Sequence, residues 1–274
     1  MSKKARRAIP LYERPIIETH CHLDYLDEPE LSAVLETCAG TGIEKLISIA
    51  VSAENLSVVR DLASRYDQVY CTQGIHPHDA ASFSESIGRQ IVEGCANEKV
   101  VAIGEIGLDY HYDHADRTTQ HQCFRDQLAI AAQLELPVVI HTREADDDTR
   151  MILSEHLSAL PRTGVLHSFS SSLELAEFAL GAGWYLGFNG MVTFKSAELV
   201  REAVRLTPLN RLLLETDSPY LTPEPYRGRP NRPFYLPFIA EKIAELKEVP
   251  VPTLLDRCRE NSQRLFFSRM EATQ

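Results

Sequence analysis

Eight short apolar runs recur along the chain, and most are followed by a longer amphipathic stretch. The runs occupy residues 16–22, 45–50, 69–76, 100–105, 137–142, 163–168, 184–190 and 211–217. Short, nearly continuous apolar runs are typical of β-strands that are buried on both faces. Such strands, alternating with helices, predict a parallel α/β fold.

Helical periodicity is clearest in six of the intervening stretches. They cover residues 30–41, 53–66, 117–136, 144–157, 172–181 and 197–205. Eight strands that alternate with helices predict a (β/α)8 TIM barrel that forms a single domain. An open doubly wound sheet is the alternative, but the GxGxxG fingerprint that would favour it is absent after the first run.

We divide the 274 residues into a flexible basic leader (1–14), the barrel (15–268) and a C-terminal tail (269–274). Within the barrel, a loop rich in proline and arginine (219–233) precedes two closing helices, at 234–247 and 252–267. No apolar stretch approaches the roughly 18 residues of a membrane helix. No apolar run of signal-peptide length follows the basic N-terminus. We therefore expect no membrane association and a cytoplasmic location.

The formal net charge is −11, so most of the surface repels polyphosphate. This argues against broad non-specific binding of duplexes, but it leaves room for a small substrate or a nucleic-acid end in a local cationic site. The six cysteines are scattered without a CxxC pair, which argues against a zinc-thiolate site and gives no sign of a disulfide framework. No obligate protein partner is evident.

Metal-ligand side chains stand at the ends of five of the predicted strands. They are His20, His22, Glu105, His141, His167 and Asp217. His20 and His22 alternate along a strand, so both imidazoles point to one face and Cys21 points to the other. In barrels of this class the carboxyl ends of the strands form the active site. We therefore expect these side chains to converge there.

Each of these residues also has a purely structural explanation. His167 alone would be a satisfied core histidine, Asp217 alone a helix cap, and Glu105 alone half of a buried ion pair. Their joint placement is harder to explain, since burying several imidazoles and acids together is costly unless cations compensate. The joint pattern therefore favours a metal site.

Six ligands exceed what one tetrahedral zinc with an open position needs. They suit two divalent ions roughly 3.5–4 Å apart, with Glu105 as the bridge. This hypothesis assigns His20, His22 and Asp217 to the first ion and His141 and His167 to the second. A water with its pKa lowered by the ions would be the nucleophile, and Asp217 would accept its proton.

Further histidines follow the third run. His76 is a candidate for contacting the substrate or stabilising the leaving group, whereas His78 has a competing interpretation as a turn residue. Four others are interpreted as surface residues: His111, His114, His121 and His156.

Several sequence motifs resemble those of the TatD-like metal-dependent deoxyribonucleases, part of the wider amidohydrolase-like barrel group. They are ETHCHLD, GIHPH, GEIGLDY, HTREA, LHSFS, NGMVTFK, RLLLETDSPYL and RGRPNRP, and the resemblance runs from about residue 17 to 267. The family usually has Asp where this chain has Glu18, which is not an expected ligand.

The resemblance implies two-metal hydrolysis of phosphodiester bonds in DNA, often from the 3′ end of single strands. It implies magnesium or manganese as the metal, although ligands rich in histidine would suit zinc equally. It also implies a substrate-side role for His76. The metal roles that it implies fall on the same six residues: His20, His22, Glu105, His141, His167 and Asp217.

Arginines near the expected site are candidate phosphate ligands. Arg143 follows His141 directly, and Arg227 belongs to the loop after Asp217 with Tyr226, Arg229 and Arg232 close by. The loop has a competing interpretation as a stiff connector whose arginines pair with surface acids. Lys195 is a weaker candidate.

Two other functions remain open from the residues alone. The first is hydrolysis of a small amide, lactone or phosphoester in the same site, but such barrels often carry a modified lysine where this chain has Glu105. The second is a non-catalytic metal-holding barrel that acts as an interaction module, which no feature of the sequence favours.

Overall fold

The predicted (β/α)8 barrel is confirmed by a computed structural model, which describes residues 6–112 and 114–268. Its eight strands pair in parallel in chain order, from β1 to β8. They are β1 (Ile16–Cys21), β2 (Ile43–Ser48), β3 (Val69–Gln73), β4 (Val100–Asp109), β5 (Val138–Arg143), β6 (Val165–Leu166), β7 (Tyr185–Phe188) and β8 (Leu212–Leu214).

Backbone contacts just beyond β8 close the barrel against β1. The amide of His22 donates to the Ser218 carbonyl at 2.8 Å, and the amide of Asp217 donates to the His20 carbonyl at 2.9 Å. Closure therefore occurs at the level of the expected ligands, and it fixes the end of β8 beside the end of β1.

Helices surround the barrel as the periodicity predicts. They are α1 (Glu30–Gly40), α2 (Leu56–Arg65), α3 (Glu85–Gly94), α4 (Arg117–Leu134), α5 (Asp146–His156), α6 (Leu173–Gly181), α7 (Glu198–Leu206), α8 (Leu236–Leu246) and α9 (Val251–Ser262). The start of α2 lies three residues later than the predicted start at 53. Asn55 explains the delay, because its Oδ1 accepts the amides of Val51 and Ser52 and makes a turn there.

The amino-terminal end of the barrel is filled by apolar side chains. One buried cluster takes a residue from every strand and adds three from the turn that follows α9. Its strand members include Ile17, Ile47, Tyr70, Val101, Val139, Val165, Tyr185 and Leu213, and the turn supplies Leu265, Phe266 and Phe267. A larger cluster between strands and helices includes Cys21, which agrees with the predicted outward direction of that side chain.

Residues at the start of the described chain contact the barrel. Arg7 makes a two-pronged ion pair with Glu241 of α8 at 2.7 and 2.6 Å, and Tyr12 donates to the same carboxylate. Residues 1–5 of the predicted leader and the whole predicted tail, 269–274, lie outside the described residues, so the tail and the flexibility of residues 1–5 stay predictions. The described part of the chain contains no helix long and apolar enough to cross a membrane. All six cysteines are buried, and none of them forms a disulfide in the part of the chain that the structure describes.

Candidate metal centre

All six predicted ligands come together at the carboxyl ends of the strands. Among the residues that the structure describes, three overlapping groups have ligand atoms within 4.8 Å of one another. The groups are His20, His22 and Asp217; His20, Glu105 and His167; and His76, Glu105 and His141. His76, which the sequence places on the substrate side, therefore joins the cluster itself.

Glu105, within β4, lies at the centre of the cluster. Its Oε2 lies 3.4 Å from His20 Nε2. Its Oε1 lies 2.9 Å from His141 Nδ1 and 2.7 Å from His167 Nε2. Burial alone would raise the pKa of Glu105, but the surrounding imidazoles, led by His167 and His76, hold it well below its ordinary value. The carboxylate is thus ionised, with one oxygen directed to each side.

Asp217 organises the side of the cluster next to β1. Its Oδ1 lies 3.5 Å from His22 Nε2 and 3.7 Å from His20 Nε2. Its backbone has φ of 56°, in the left-handed region that non-glycine residues seldom adopt. Such conformations persist where surrounding contacts enforce them, and the closing hydrogen bond to the His20 carbonyl is one such contact.

Unpaired nitrogen atoms in the cluster fit a cation. Within residues 6–112 and 114–268, buried polar atoms without a hydrogen-bond partner include both ring nitrogens of His20, Nδ1 of His22 and Nδ1 of His167. Leaving such groups unpaired is costly. Two ligands about 2.1 Å from one ion stand about 3.0–3.5 Å apart, close to the gaps between His20 and Glu105 and between His22 and Asp217. The residues therefore fit divalent metal ions.

Asp109, at the end of β4, was missed by the sequence analysis. Its Oδ2 accepts from His141 Nε2 at 2.9 Å and from His78 Nε2 at 3.0 Å. A metal-binding histidine commonly donates a hydrogen bond from its other ring nitrogen to a carboxylate in this way. Burial lowers the pKa of His141, but hydrogen bonds to Asp109 and Glu105 outweigh it and raise the pKa to about 9. Asp109 thus directs Nδ1 of His141 toward Glu105.

His76 carries its proton on Nε2. A histidine that binds a metal through Nε2 would instead carry its proton on Nδ1. The amide of His78 donates to His76 Nδ1 at 3.1 Å, so Nδ1 carries the lone pair. Burial, reinforced by neighbouring His141, lowers the pKa of His76 to about 4 and keeps the ring neutral. Its proton therefore lies on Nε2, which can donate a hydrogen bond to a substrate oxygen.

Two buried acids support the backbone around the ligands. Glu18 Oε1 accepts the amides of His20 at 3.0 Å and Thr216 at 2.9 Å, and burial raises its pKa to about 8. Glu215 accepts the amide of Ser168, and burial raises its pKa well above the ordinary value. A Cβ at Gly187 would lie 2.3 Å from Glu215 Oε2, so the glycine makes room for this carboxyl group.

Buried amide side chains hold the loops that carry the site. Gln127 of α4 accepts from the Ile75 amide at 2.7 Å and donates to the Ile75 carbonyl at 3.0 Å. Two helical turns earlier, Gln120 makes the same pair of bonds to the backbone of Asp109. The spacing of seven residues puts both glutamines on one face of α4. It is a weak sequence signal that could have suggested this role.

A cavity of about 660 Å³ opens above the cluster. His78 and His114 both line it, which favours a site role for His78 over a simple turn. His114 is exposed, as predicted for a surface residue, and it also belongs to the cavity wall. Arg143 lines the same wall and lies over the Tyr112 ring at 4.8 Å. Histidines and acidic residues thus make up half of the residues that line the cavity, and the Arg143 guanidinium is placed to bind a phosphate.

The sequence profile of the TatD-related DNases matches residues 17–267. The chain belongs to the TatD-related DNase family. The family's span includes every residue of the cluster and all eight strands, so the match concerns the whole barrel.

Relatives in this family are similar over nearly their full length. The chain is 39% identical over 252 residues to the uncharacterized metal-dependent hydrolase YabD of Bacillus subtilis, covering 92% of this chain and 98% of the relative. It is 38% identical over 256 residues to the uncharacterized metal-dependent hydrolase YcfH of Escherichia coli K12, covering 92% and 95%. The crystal structure of YjjV, a TatD homologue from Escherichia coli K12, superposes with a TM-score of 0.85 at 35% identity and covers 92% and 97%.

Other predicted residues of this TatD-family chain lie elsewhere. Arg227 lies over the Phe194 ring at 4.0 Å and is not among the residues that line the cavity. Tyr226 stacks on Tyr235 at 4.4 Å, and Arg232 pairs with Glu30. In the described structure these contacts favour the connector interpretation of the loop, and they leave Arg143 as the better-placed arginine.

The remaining histidines predicted at the surface have local partners. His111 pairs with Glu144 at 2.6 Å, and His121 lies 3.3 Å from Asp148. His156 Nδ1 lies 2.9 Å from the Ile152 carbonyl. None of the three lines the described cavity.

Proposed function

We propose that this chain uses two divalent metal ions to hydrolyse phosphodiester bonds of DNA, as a 3′–5′ exonuclease that prefers single strands. The coarser statement follows from the family, since the chain is a TatD-family metal-dependent hydrolase. The two-metal part of the finer statement rests chiefly on one observation, the position of Glu105 between two sets of buried imidazoles.

Two ions are supported by the two oxygens of Glu105. Oε2 is directed to His20, while Oε1 is directed to His141 and His167. A bridging carboxylate of this kind is typical of two-metal hydrolases. The proposed ligands are His20, His22, Asp217 and Glu105 for one ion and His141, His167 and Glu105 for the other. Magnesium or manganese is proposed as the working metal, and zinc also suits the imidazoles.

When bound, the ions would lower the pKa of a water and offset the negative charge of the phosphate. The chain's own residues would then handle protons and position the substrate. Hydrogen bonding and charge from His22 and its neighbours outweigh burial and hold the pKa of Asp217 below its ordinary value, so this carboxylate is ionised and able to accept a proton. Neutral His76 would stabilise the leaving oxygen by donating a hydrogen bond from its Nε2–H, without transferring the proton.

A single-stranded end suits the entrance better than a duplex. The protein carries a net charge of −11, which repels the dense phosphates of a duplex over most of its surface. The cavity nevertheless contains Arg143, whose planar guanidinium can hold a phosphate through two hydrogen bonds. A narrow chain end can therefore reach the cluster while the acidic exterior disfavours broad contact.

Metal-stripped protein incubated with 5′-labelled single-stranded DNA tests this proposal. Magnesium, manganese and zinc would be added back in turn, with Asp217→Ala as the inactive variant and the exposed Asp256→Ala as the matched control. We expect a ladder that shortens from the 3′ end, requires metal and disappears only in Asp217→Ala.

Undiminished cleavage by Asp217→Ala would refute the assignment of the site. Absence of cleavage by the wild type with every metal, while two ions remain bound, would refute the DNA substrate. The search would then pass to the alternative substrates, which are small phosphoesters, amides and lactones.

A further inference from the structure

Exposed tyrosines gather at the mouth of the cavity. Tyr25, Tyr112 and Tyr220 line it and are 49%, 52% and 52% exposed. Large aromatic side chains left in solvent beside a binding site often contact a ligand. These three are about equally exposed, but they differ in the side chains that surround each ring.

Tyr112 is already surrounded by its neighbours. The Arg143 guanidinium lies over its ring at 4.8 Å, and the rings of His78, His111 and His114 lie between 4.9 and 5.9 Å away. This tyrosine therefore orders the wall that carries Arg143. It is as exposed as the other two tyrosines, but its ring already contacts the Arg143 guanidinium and three imidazoles.

Tyr25 and Tyr220 form a less crowded pair on the side of the mouth formed by β1 and β8, where their ring contacts are with His22 and with each other. Tyr25 ends the short 3-10 turn after β1, and Tyr220 lies in the loop after β8, so neighbouring strands carry the two rings. The rings meet edge to face, 6.3 Å apart at 87°. One face of Tyr25 stacks on the His22 imidazole at 5.3 Å and 15°. With half of its surface exposed, the ring has another side left for a planar ligand.

We propose that Tyr25 and Tyr220 form a stacking platform for the terminal nucleobase of a DNA single strand. The inference rests on the proposed function and deepens it by naming what recognises the unpaired end. A base on Tyr25 would extend the stack that begins at His22. The adjoining phosphodiester would then lie toward the cluster, with Arg143 across the mouth on β5 to meet a phosphate.

Stacking explains a preference for unpaired ends without base readout. Every nucleobase has an aromatic face, so stacking on tyrosine tolerates any sequence. A base that is paired and stacked within a duplex has no free face and would have to be unstacked first. The platform therefore predicts activity on any single-stranded end and weak preference among the four bases.

The test compares two oligonucleotides on the metal-loaded protein, one ending in a normal nucleotide and one ending in an abasic nucleotide. We expect the wild type to cleave the normal end about tenfold more efficiently, in kcat/KM, from the contribution of base stacking. The double variant Tyr25→Ala/Tyr220→Ala should cleave both ends with equal efficiency. Tyr25→Phe/Tyr220→Phe keeps both rings and should keep the discrimination.

A binding measurement separates the platform from turnover. An oligonucleotide with a terminal 2-aminopurine and hydrolysis-resistant linkages should lose fluorescence on binding the wild type and the Phe variant. It should keep its fluorescence with the Ala variant. Circular dichroism melting would verify that the Ala variant is folded, as expected for exposed side chains.

The outcomes distinguish this inference from the proposed function. Equal discrimination by the wild type and a folded Ala variant would overturn the platform while leaving the nuclease in place. Loss of discrimination in the Phe variant would also overturn it, because the hydroxyls and not the rings would then matter. No cleavage of either end by the wild type would overturn the proposed function, and the platform with it.

Discussion

The two ends of the barrel are built from opposite kinds of side chain. The amino-terminal end is filled by a dry cluster with a member from every strand, closed by Phe266 and Phe267. The carboxyl-terminal end buries histidines and carboxylates, several with ring nitrogens that lack a hydrogen-bond partner in the described chain. Apolar burial stabilises a fold, whereas unpaired polar burial costs free energy. The difference indicates that one end maintains the barrel and the other end is organised for ligands.

The largest expected effect separates the two ends by activity. Glu105→Ala removes the residue that faces both groups of imidazoles, and we expect kcat/KM for DNA to fall about a thousandfold or more, since metal ions supply several kcal/mol of transition-state stabilisation. The barrel should remain folded, because the apolar end is untouched.

Leu213→Ala at the apolar end is the matched comparison. It should lower the free energy of unfolding by about 2–5 kcal/mol, as for other large-to-small core substitutions, and leave kcat/KM per folded molecule unchanged. Urea unfolding and steady-state kinetics measure both variants. Comparable loss of activity in the two variants would break the contrast between the ends.

Asp109→Asn tests the support of His141. The asparagine amide lacks the negative charge with which Asp109 accepts hydrogen bonds from His141 and His78. Nδ1 of His141 should therefore be held less firmly toward Glu105. Loss of such a supporting carboxylate typically costs about 10–100-fold in metal affinity or activity. Isothermal titration calorimetry with manganese measures the metal affinity of the variant and of the wild type.

The control for Asp109 is another aspartate with a different role. Asp116 caps α4 by accepting the Thr119 amide at 3.0 Å, and asparagine caps equally well. Asp116→Asn should therefore bind manganese as the wild type does. If Asp109→Asn also bound normally, the positioning role would be wrong.

Arg143→Lys and Arg227→Lys test whether phosphate is bound at the mouth of the cavity or at the loop after β8. Lysine keeps the charge but cannot grip a phosphate through two parallel bonds. We expect KM for DNA to rise about tenfold in Arg143→Lys, the scale of a charge-assisted hydrogen bond, and to change little in Arg227→Lys. Michaelis–Menten analysis on one oligonucleotide decides between the two arginines. A larger effect at Arg227 would restore the loop as the phosphate site.

Gln127→Leu has the smallest expected effect. It leaves the buried amide and carbonyl of Ile75 without partners, which should lower the free energy of unfolding by about 1–3 kcal/mol. The exposed Gln122→Leu on the same helix should change it by less than about 0.5 kcal/mol. Urea denaturation compares the two, and equal stabilities would show that the Gln127 clamp contributes nothing.

Much of this architecture follows from local pattern. The apolar runs predict β1 to β8 because strands that are buried on both faces need apolar side chains throughout. The convergence of the ligands is then predicted because the carboxyl ends of the strands meet at one end of a barrel. Because successive side chains of a strand point to opposite faces, the sequence alone predicts the directions of His20, Cys21 and His22. These features depend on neighbours in sequence or on the general geometry of the fold.

The parts that escaped prediction depend on contacts between distant residues. Nothing near Asp109 in the sequence indicates that it meets His141 and His78, and the clamp of Gln127 on Ile75 joins residues 52 apart. The position of His114 in the cavity wall likewise depends on how the loop after β4 folds back. The tautomer of a histidine also depends on its contacts in the fold. For example, the His78 amide donates to Nδ1 of His76 and so leaves the proton of His76 on Nε2.

Anomalous diffraction from crystals grown with manganese, combined with metal analysis in solution, tests the central claim most directly. We expect two ions per chain, one beside His20, His22 and Asp217 and one beside His141 and His167, with Glu105 contacting both. Glu105→Ala should lose at least one of them, while Leu213→Ala should keep both. Ions bound elsewhere, or a polar end that stays metal-free in saturating manganese, would contradict the claim that these imidazoles are buried to hold metal.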